Sequence, residues 1–206
     1  EEELKIILAA ISIDLIKAWT EVFKSSEDIE IFIGSAFEPQ TDAIVSPANS
    51  FGFMDGGIDL QISQNLGWDV EERLQELIRK EHNGELLVGQ AELVRTRNLK
   101  IPYVISAPTM RVPMTLENSP NPFLATRAVL QLIKNNEEAR NNIKTVTFPG
   151  MGTGVGQVKP EICAYQMYMA VEEVLYGRKE FPKDLWDAQW NHQDLFGFLG
   201  RVKNRK

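Results

Sequence analysis

The sequence predicts an α/β domain whose mostly parallel sheet is covered on both faces. Three observations predict it. Apolar runs such as "IEIFIG", "DAIVSPA", "YVISAPT" and "IKTVTFPG" have strand length and are rich in β-branched residues. They are short and end at Gly or Pro, as buried strands of a parallel sheet do. Amphipathic helical patterns lie between them, which is the order of β–α units.

In chain order, "LKIILAA" reads as the first strand, and "SIDLIKAWTEVFK" as a helix with Ser12 as its N-cap. "IEIFIG" and "DAIVSPA" follow as strands. "GGIDLQISQNLG" and "WDVEERLQELIRKEH" read as helices, the second ended by Asn83-Gly84. "YVISAPT" is a buried strand. "NPFLATRAVLQLIKNNEEAR" reads as one long helix with Pro122 near its first turn. "IKTVTFPG" is a strand, and "KPEICAYQMYMAVEEVLYG" a helix stopped by Gly177. Residues 178–206 carry the aromatic-rich, aperiodic "FPKDLWDAQWNHQDLFGFL". They are expected to pack on the body as a C-terminal extension, so that 1–206 form a single domain.

Bulk composition narrows the function. The 206 residues are 43% hydrophobic and 25% charged, enough for one domain with a real core. The formal net charge is −7, so no global field attracts nucleic acid or an anionic membrane. The basic cluster "GRVKNRK" is a terminal run and reads as a solvated end. A lone Cys163 makes no internal disulfide, and two His with one Cys are too few for an ordinary zinc site. Neither a metal nor a cofactor is expected. Cys163 lies in an amphipathic helical pattern and reads as a buried structural thiol. No run approaches the ~18 apolar residues of a membrane span. No signal peptide is visible, although the chain starts at Glu1 rather than Met, where a trimmed leader would leave no trace. A reducing cytoplasm is the expected compartment.

In sheets of this class, ligands sit beyond the carboxyl ends of the strands. Two loops there stand out by composition. "SPANSFGFMDGGID" follows "DAIV", and "PGMGTGVGQ" follows "KTVTF". In the second, Gly150, Gly152, Gly154 and Gly156 alternate with other residues. Such a backbone curls its N–H groups toward one anion, and a helix opening there would add its positive end. The other reading is a tight strand-to-helix turn. The spacing excludes a Walker A loop, since no Gly-Lys-Ser/Thr follows, and it excludes G-x-G-x-x-G, since the third Gly falls one residue early. The first loop supplies Gly52, Gly56 and Gly57 before the helix at Ile58. Two such loops would clasp adjacent phosphates, and an ADP-ribose pyrophosphate fits that arithmetic.

These residues resemble a family. "TDAIVSPANSFGFMDGGIDLQI" is similar to the macro-domain signature, a buried strand running into A-A-N and then a Gly-rich loop with G-G-V-D. "TVTFPGMGTGVG" resembles that family's second loop, and "IEIFIGSAF" takes the place of its G-D-I-T segment. The resemblance implies a three-layer α/β/α sandwich with a mostly parallel mixed sheet that binds ADP-ribose or a related nucleotide diphosphate. It implies an ADP-ribosylated protein as partner where the pocket is hydrolytic. Asn49 matches the Asn by the distal ribose. Gly56, Gly57 and Ile58 match a phosphate-approaching loop, and Gly152, Thr153, Gly154 and Val155 match the second. Asp59 matches the Asp that orients a water in hydrolytic relatives. The family's adenine-reading Asp falls at Ser35, next to Ala36, and its second-loop aromatic falls at Val155. Those departures keep a second implication open, a macro fold with a drifted pocket serving as an interaction component. Single-stranded nucleic acid in the same cleft is opposed by the acidic balance.

Taken without the resemblance, each residue has a plainer reading. Asp59 is also an ordinary first-turn acid. Asn49 is also a residue that closes an Asx-turn. Phe51, Phe53 and Met54 either wall a base or sugar or fill a core edge. Asp55 either points away from phosphate, as a helix cap would, or signals a different ligand. Arg111, between Pro108 and Pro113, either meets an anion or is a surface cation. His82 and His192 lie outside both Gly loops. If water attacks the distal ribose, Asp59 is the orienting or basic group.

Overall fold

A computed structural model of the protein describes residues 3–196. The first unit is strand β1 (Lys5–Ala10) followed by helix α1 (Ile13–Val22). Ser12 Oγ caps α1 by accepting from Leu15 N at 3.4 Å. Strands β2 (Ile29–Ile33) and β3 (Ala43–Ser46) lead into α2 (Gly57–Leu66) and α3 (Asp69–Glu81). Then come β4 (Glu92–Arg95), β5 (Tyr103–Ser106), α4 (Asn121–Asn135), α5 (Glu137–Asn142), β6 (Thr145–Phe148), α6 (Pro160–Val174) and α7 (Leu185–Asp194).

The strands form one sheet in the order β2-β1-β6-β3-β5-β4. All neighbours are parallel except β4 with β5. Alternation along each strand feeds two cores. Ala43 and Val45 of β3 face the core built from α1, α4 and α6, whereas Ile44 faces the one built from α2 and α3. Both faces are therefore covered, and every residue of β3 and β5 is buried. This is the expected α/β/α sandwich with a mostly parallel mixed sheet.

The structure departs from the sequence expectations in three elements. β4 is an additional strand, and only Val94 of it is buried, so its sequence shows little apolar signal. The long helix expected over "NPFLATRAVLQLIKNNEEAR" is two helices. Asn136 takes an extended conformation (φ −82°, ψ 125°), and its side chain accepts from Ala139 N at 2.9 Å to cap α5. Within the C-terminal stretch read as aperiodic, α7 forms behind Asp184, which accepts from Asp187 N at 2.8 Å. Leu195 beyond it is buried, and its carbonyl accepts from Gln166 Nε2 at 3.0 Å. Residues 197–206, including the basic run, lie outside the described residues. No helix among the described residues is long and apolar enough to cross a membrane.

Candidate functional site

A cavity of about 430 Å³ opens at the carboxyl ends of β1, β2, β3 and β6. That volume lies within the range of small-molecule sites. Its walls come from the β1–α1 turn, the segment after β2, both Gly-rich loops, and Thr109, Met110 and Pro113 after β5. Ser35, Ala36, Asn49, Gly56, Gly57, Ile58, Asp59, Gly150, Gly152, Thr153, Gly154, Val155 and Gly156 all line it. The two loops, about a hundred residues apart in sequence, thus share one space because β3 and β6 are adjacent strands.

The first loop is organised by Asn49. Its Oδ1 accepts from Phe51 N at 3.0 Å and from Phe53 N at 3.3 Å, while Nδ2 donates to Phe53 O at 2.8 Å. The Asx-turn reading holds, and the side chain is engaged within its own loop. Phe51 does not line the cavity. Its ring lies under the Arg111 guanidinium, 5.1 Å from the centroid, and Arg111 pairs with Glu85. Phe53 does line the cavity and is 55% exposed, while Met54 is buried in the α2–α3 core. Asp55 caps nothing: the N-cap of α2 is Gly56, without a side-chain hydrogen bond.

The second loop closes on itself. Gln157 N donates to Gly154 O and Val158 N to Gly152 O, each at 3.0 Å. Gly152 sits at φ +79°, where a side chain would be strained. This loop does not open a helix directly. Gln157 takes a left-handed turn (φ 54°), and α6 starts at Pro160. The helix termini lining the cavity are those of α2 and α1, the latter through Ile11 and Ser12. The β1–α1 turn was not singled out in the sequence, because "AAISI" carries no Gly or charge to mark it.

The chemistry on offer is backbone chemistry. Among the described residues, the amides of Gly152, Thr153, Gly154, Val155 and Gly156 donate to no protein acceptor. Nor do those of Gly57, Ile58 and Asp59 in the first turn of α2, where orphan donors are intrinsic. Among the described residues, the charged side chains lining the cavity are Asp55 and Asp59, and no cation lines it to meet an anion. At the far wall, Ser35 Oγ accepts from Phe37 N at 3.3 Å, and Ser35 N donates to Glu38 Oε1 at 2.9 Å.

Asp59 is the unusual group. It is 7% exposed, which an acid in an apolar setting rarely is. Burial pushes its carboxyl up to about 6 from 3.8, opposed by a hydrogen bond from Ser46 and reinforced by Glu71 and Asp55. Ser46 is a partner that the sequence did not flag; a Ser before Pro at a strand end carries no distinguishing signal. Cys163, by contrast, is fully buried, and burial pushes its thiol up to about 12, which suits an inert role. No group of His, Cys, Asp and Glu among the described residues is arranged to hold a metal.

A family model described as Macro domain matches residues 45–167, which include both Gly-rich loops, the end of β3, and β4 through β6. The chain belongs to the macro domain family. An uncharacterized protein of Aquifex aeolicus is 39% identical over 158 residues, covering 77% of this chain and 86% of the relative. A macro domain-containing protein of Caldanaerobacter subterraneus is 30% identical, covering 73% and 83%. Among solved structures, a point mutant of the Oceanobacillus iheyensis macrodomain with ADPR superposes with a TM-score of 0.59 at 18% identity, covering 84% of this chain and 91% of that one. At that identity the likeness speaks for the fold. In this macro domain, the matched segment contributes most of the cavity wall, and the end of β1, the start of α1 and the segment after β2 complete it from outside the match.

Proposed function

We propose that the cavity binds ADP-ribose or a related nucleotide diphosphate, and that Asp59 acts at the distal ribose to give slow ADP-ribosyl hydrolysis. One observation carries the binding reading. Two runs of backbone amides without protein acceptors, one in each loop, open on a single cavity. Amide nests and a helix N-terminus hold a pyrophosphate without a cationic side chain. The Oceanobacillus neighbour of the same fold is named with ADPR, which agrees with this ligand class.

The hydrolytic part rests on Asp59. A carboxyl with a pKa of about 6 is mostly ionised at neutral pH, yet basic enough to orient a water and take its proton. The water oxygen would bond to the anomeric carbon of the distal ribose as the bond to the modified side chain breaks. The partner on this reading is an ADP-ribosylated protein.

Titration calorimetry with ADP-ribose tests the binding, with Gly154→Glu as the control. A Cβ on Gly154 meets nothing within 4 Å, and the residue is not in the left-handed region, so the fold tolerates a side chain there. The glutamate would fill the nest and repel phosphate. Wild type should bind and the variant should not. No heat from folded wild type at millimolar ADP-ribose would reject this reading in favour of a macro fold used as an interaction component.

A further inference from the structure

Ser46 Oγ donates a hydrogen bond to Asp59 Oδ1. Ser46 ends β3, Asp59 lies in the first turn of α2, and the pair ties the helix to the sheet where the cavity begins. Strand alternation sets the direction. Ala43 and Val45 point to one core, so Ser46 points with Ile44 toward α2 and α3. Ser46 is fully buried, and a hydroxyl has one proton to give. Two other buried hydroxyls belong to the neighbouring elements: Ser106, its register partner on β5, and Ser63, one turn beyond Asp59 on α2. Both lack a protein partner among the described residues. The Ser46 proton goes to the carboxylate.

The charged groups acting on Asp59 are Glu71 of α3 and Asp55 of the loop, both acids, and burial adds to their effect. Glu71 is itself held, accepting from Met54 N at 2.8 Å. The Ser46 hydroxyl opposes all three influences. We propose that Ser46 is a positioning residue of this site: its hydroxyl holds Asp59 in the charged form and occupies Oδ1, leaving Oδ2 to serve the cavity. This rests on the reading of Asp59 as the group acting at the ligand's distal ribose. Without the donor, burial and two neighbouring carboxylates shift Asp59 toward its protonated form at neutral pH, and a protonated acid takes no proton from water.

The test follows the Asp59 carboxyl carbon by NMR in the ligand-free protein, with the resonance assigned by its loss in Asp59→Asn. Wild type should titrate near pH 6. Ser46→Ala should titrate about one to two pH units higher, as loss of a hydrogen bond to a charged group predicts. Ser46→Thr, which restores the hydroxyl, should return the midpoint toward wild type. An unchanged midpoint in Ser46→Ala overturns the proposal. Ser46→Cys, nearly isosteric but a weak donor, carries the same comparison should the alanine variant unfold. A second arm measures the pH profile of ADP-ribose release, whose rising limb should move up with the midpoint. A profile that stays put while the NMR midpoint moves also overturns the positioning role. The carboxyl titration needs no ligand, so failure of wild type to bind ADP-ribose strikes the site reading and is distinguishable from failure of the Ser46 assignment.

Discussion

A Cβ placed on Gly156 would lie 2.5 Å from the carbonyl oxygen of Gly152, the same oxygen that accepts from Val158 N. The turn leaves no room for a side chain at its end, and its closing hydrogen bond would be pushed apart by one. Gly156→Ala should therefore destabilise the protein by about 1–3 kcal/mol, the usual range for overpacking. Gly154→Ala should be close to neutral, since that position is open. Denaturant unfolding of the two variants checks this, and equal losses would show that the loop relaxes around the methyl.

The buried carboxyl of Asp59 makes stability depend on pH with a definite sign. Its folded pKa of about 6 lies above 3.8, so between these values the folded state holds the proton more tightly than the unfolded one. Stability contributed by this group is greatest below pH 4 and is lost as pH rises toward 6, by roughly 3 kcal/mol. Asp59→Asn removes the titration. Unfolding free energies measured across the range should show the variant gaining on wild type between pH 4 and 6, with a constant difference above. A difference independent of pH would mean that Asp59 titrates normally.

Catalysis and binding should separate at the same residue. Asp59→Ala should slow release of ADP-ribose from a mono-ADP-ribosylated protein by at least about 10²-fold, the lower range for a positioned acid or base. Affinity for free ADP-ribose should change little, because the phosphates are met by amides rather than by this side chain. Lost affinity with unchanged turnover would make Asp59 a structural ligand of the ribose.

Ser35 lines the cavity with a neutral hydroxyl, and its N–H is already engaged by Glu38. Adenine selectivity should consequently be weak. Ser35→Asp should tighten ADP-ribose relative to its inosine analogue by about tenfold, since hydrogen bonds to a charged acceptor are about twice as strong. Calorimetry with both ligands decides it, and equal changes would show that residue 35 does not face the base.

Much of the sheet was legible because its interior strands are buried, so β1, β3 and β5 show as apolar runs and β6 as a β-branched one. β4 did not show, because this four-residue edge strand carries only Leu93 and Val94 to the cores, between Glu92 and Arg95. The break between α4 and α5 did not show either, since Asn136 stops one helix and starts the next without Gly or Pro. The same contrast runs through the cavity. Glycines at 150–156 marked the second loop, whereas the β1–α1 turn reaches the cavity through Ile11 and Ser12, residues ordinary in any strand-to-helix link.

By itself the sequence determined the β–α alternation, the two Gly-rich loops and the family, all of which are local patterns of residue type. Tertiary structure decided which groups meet. Parallel pairing sets Leu8 beside Phe148 and Ile44 beside Thr147, which brings the ends of β1, β3 and β6 around one cavity. It turned Phe51 to Arg111 and left Phe53 at the cavity. It set Ser46 against Asp59, thirteen residues apart in sequence, and buried the acid to the point where one hydroxyl governs its charge. Such contacts depend on strand register and on desolvation, and both arise only once distant segments have packed together.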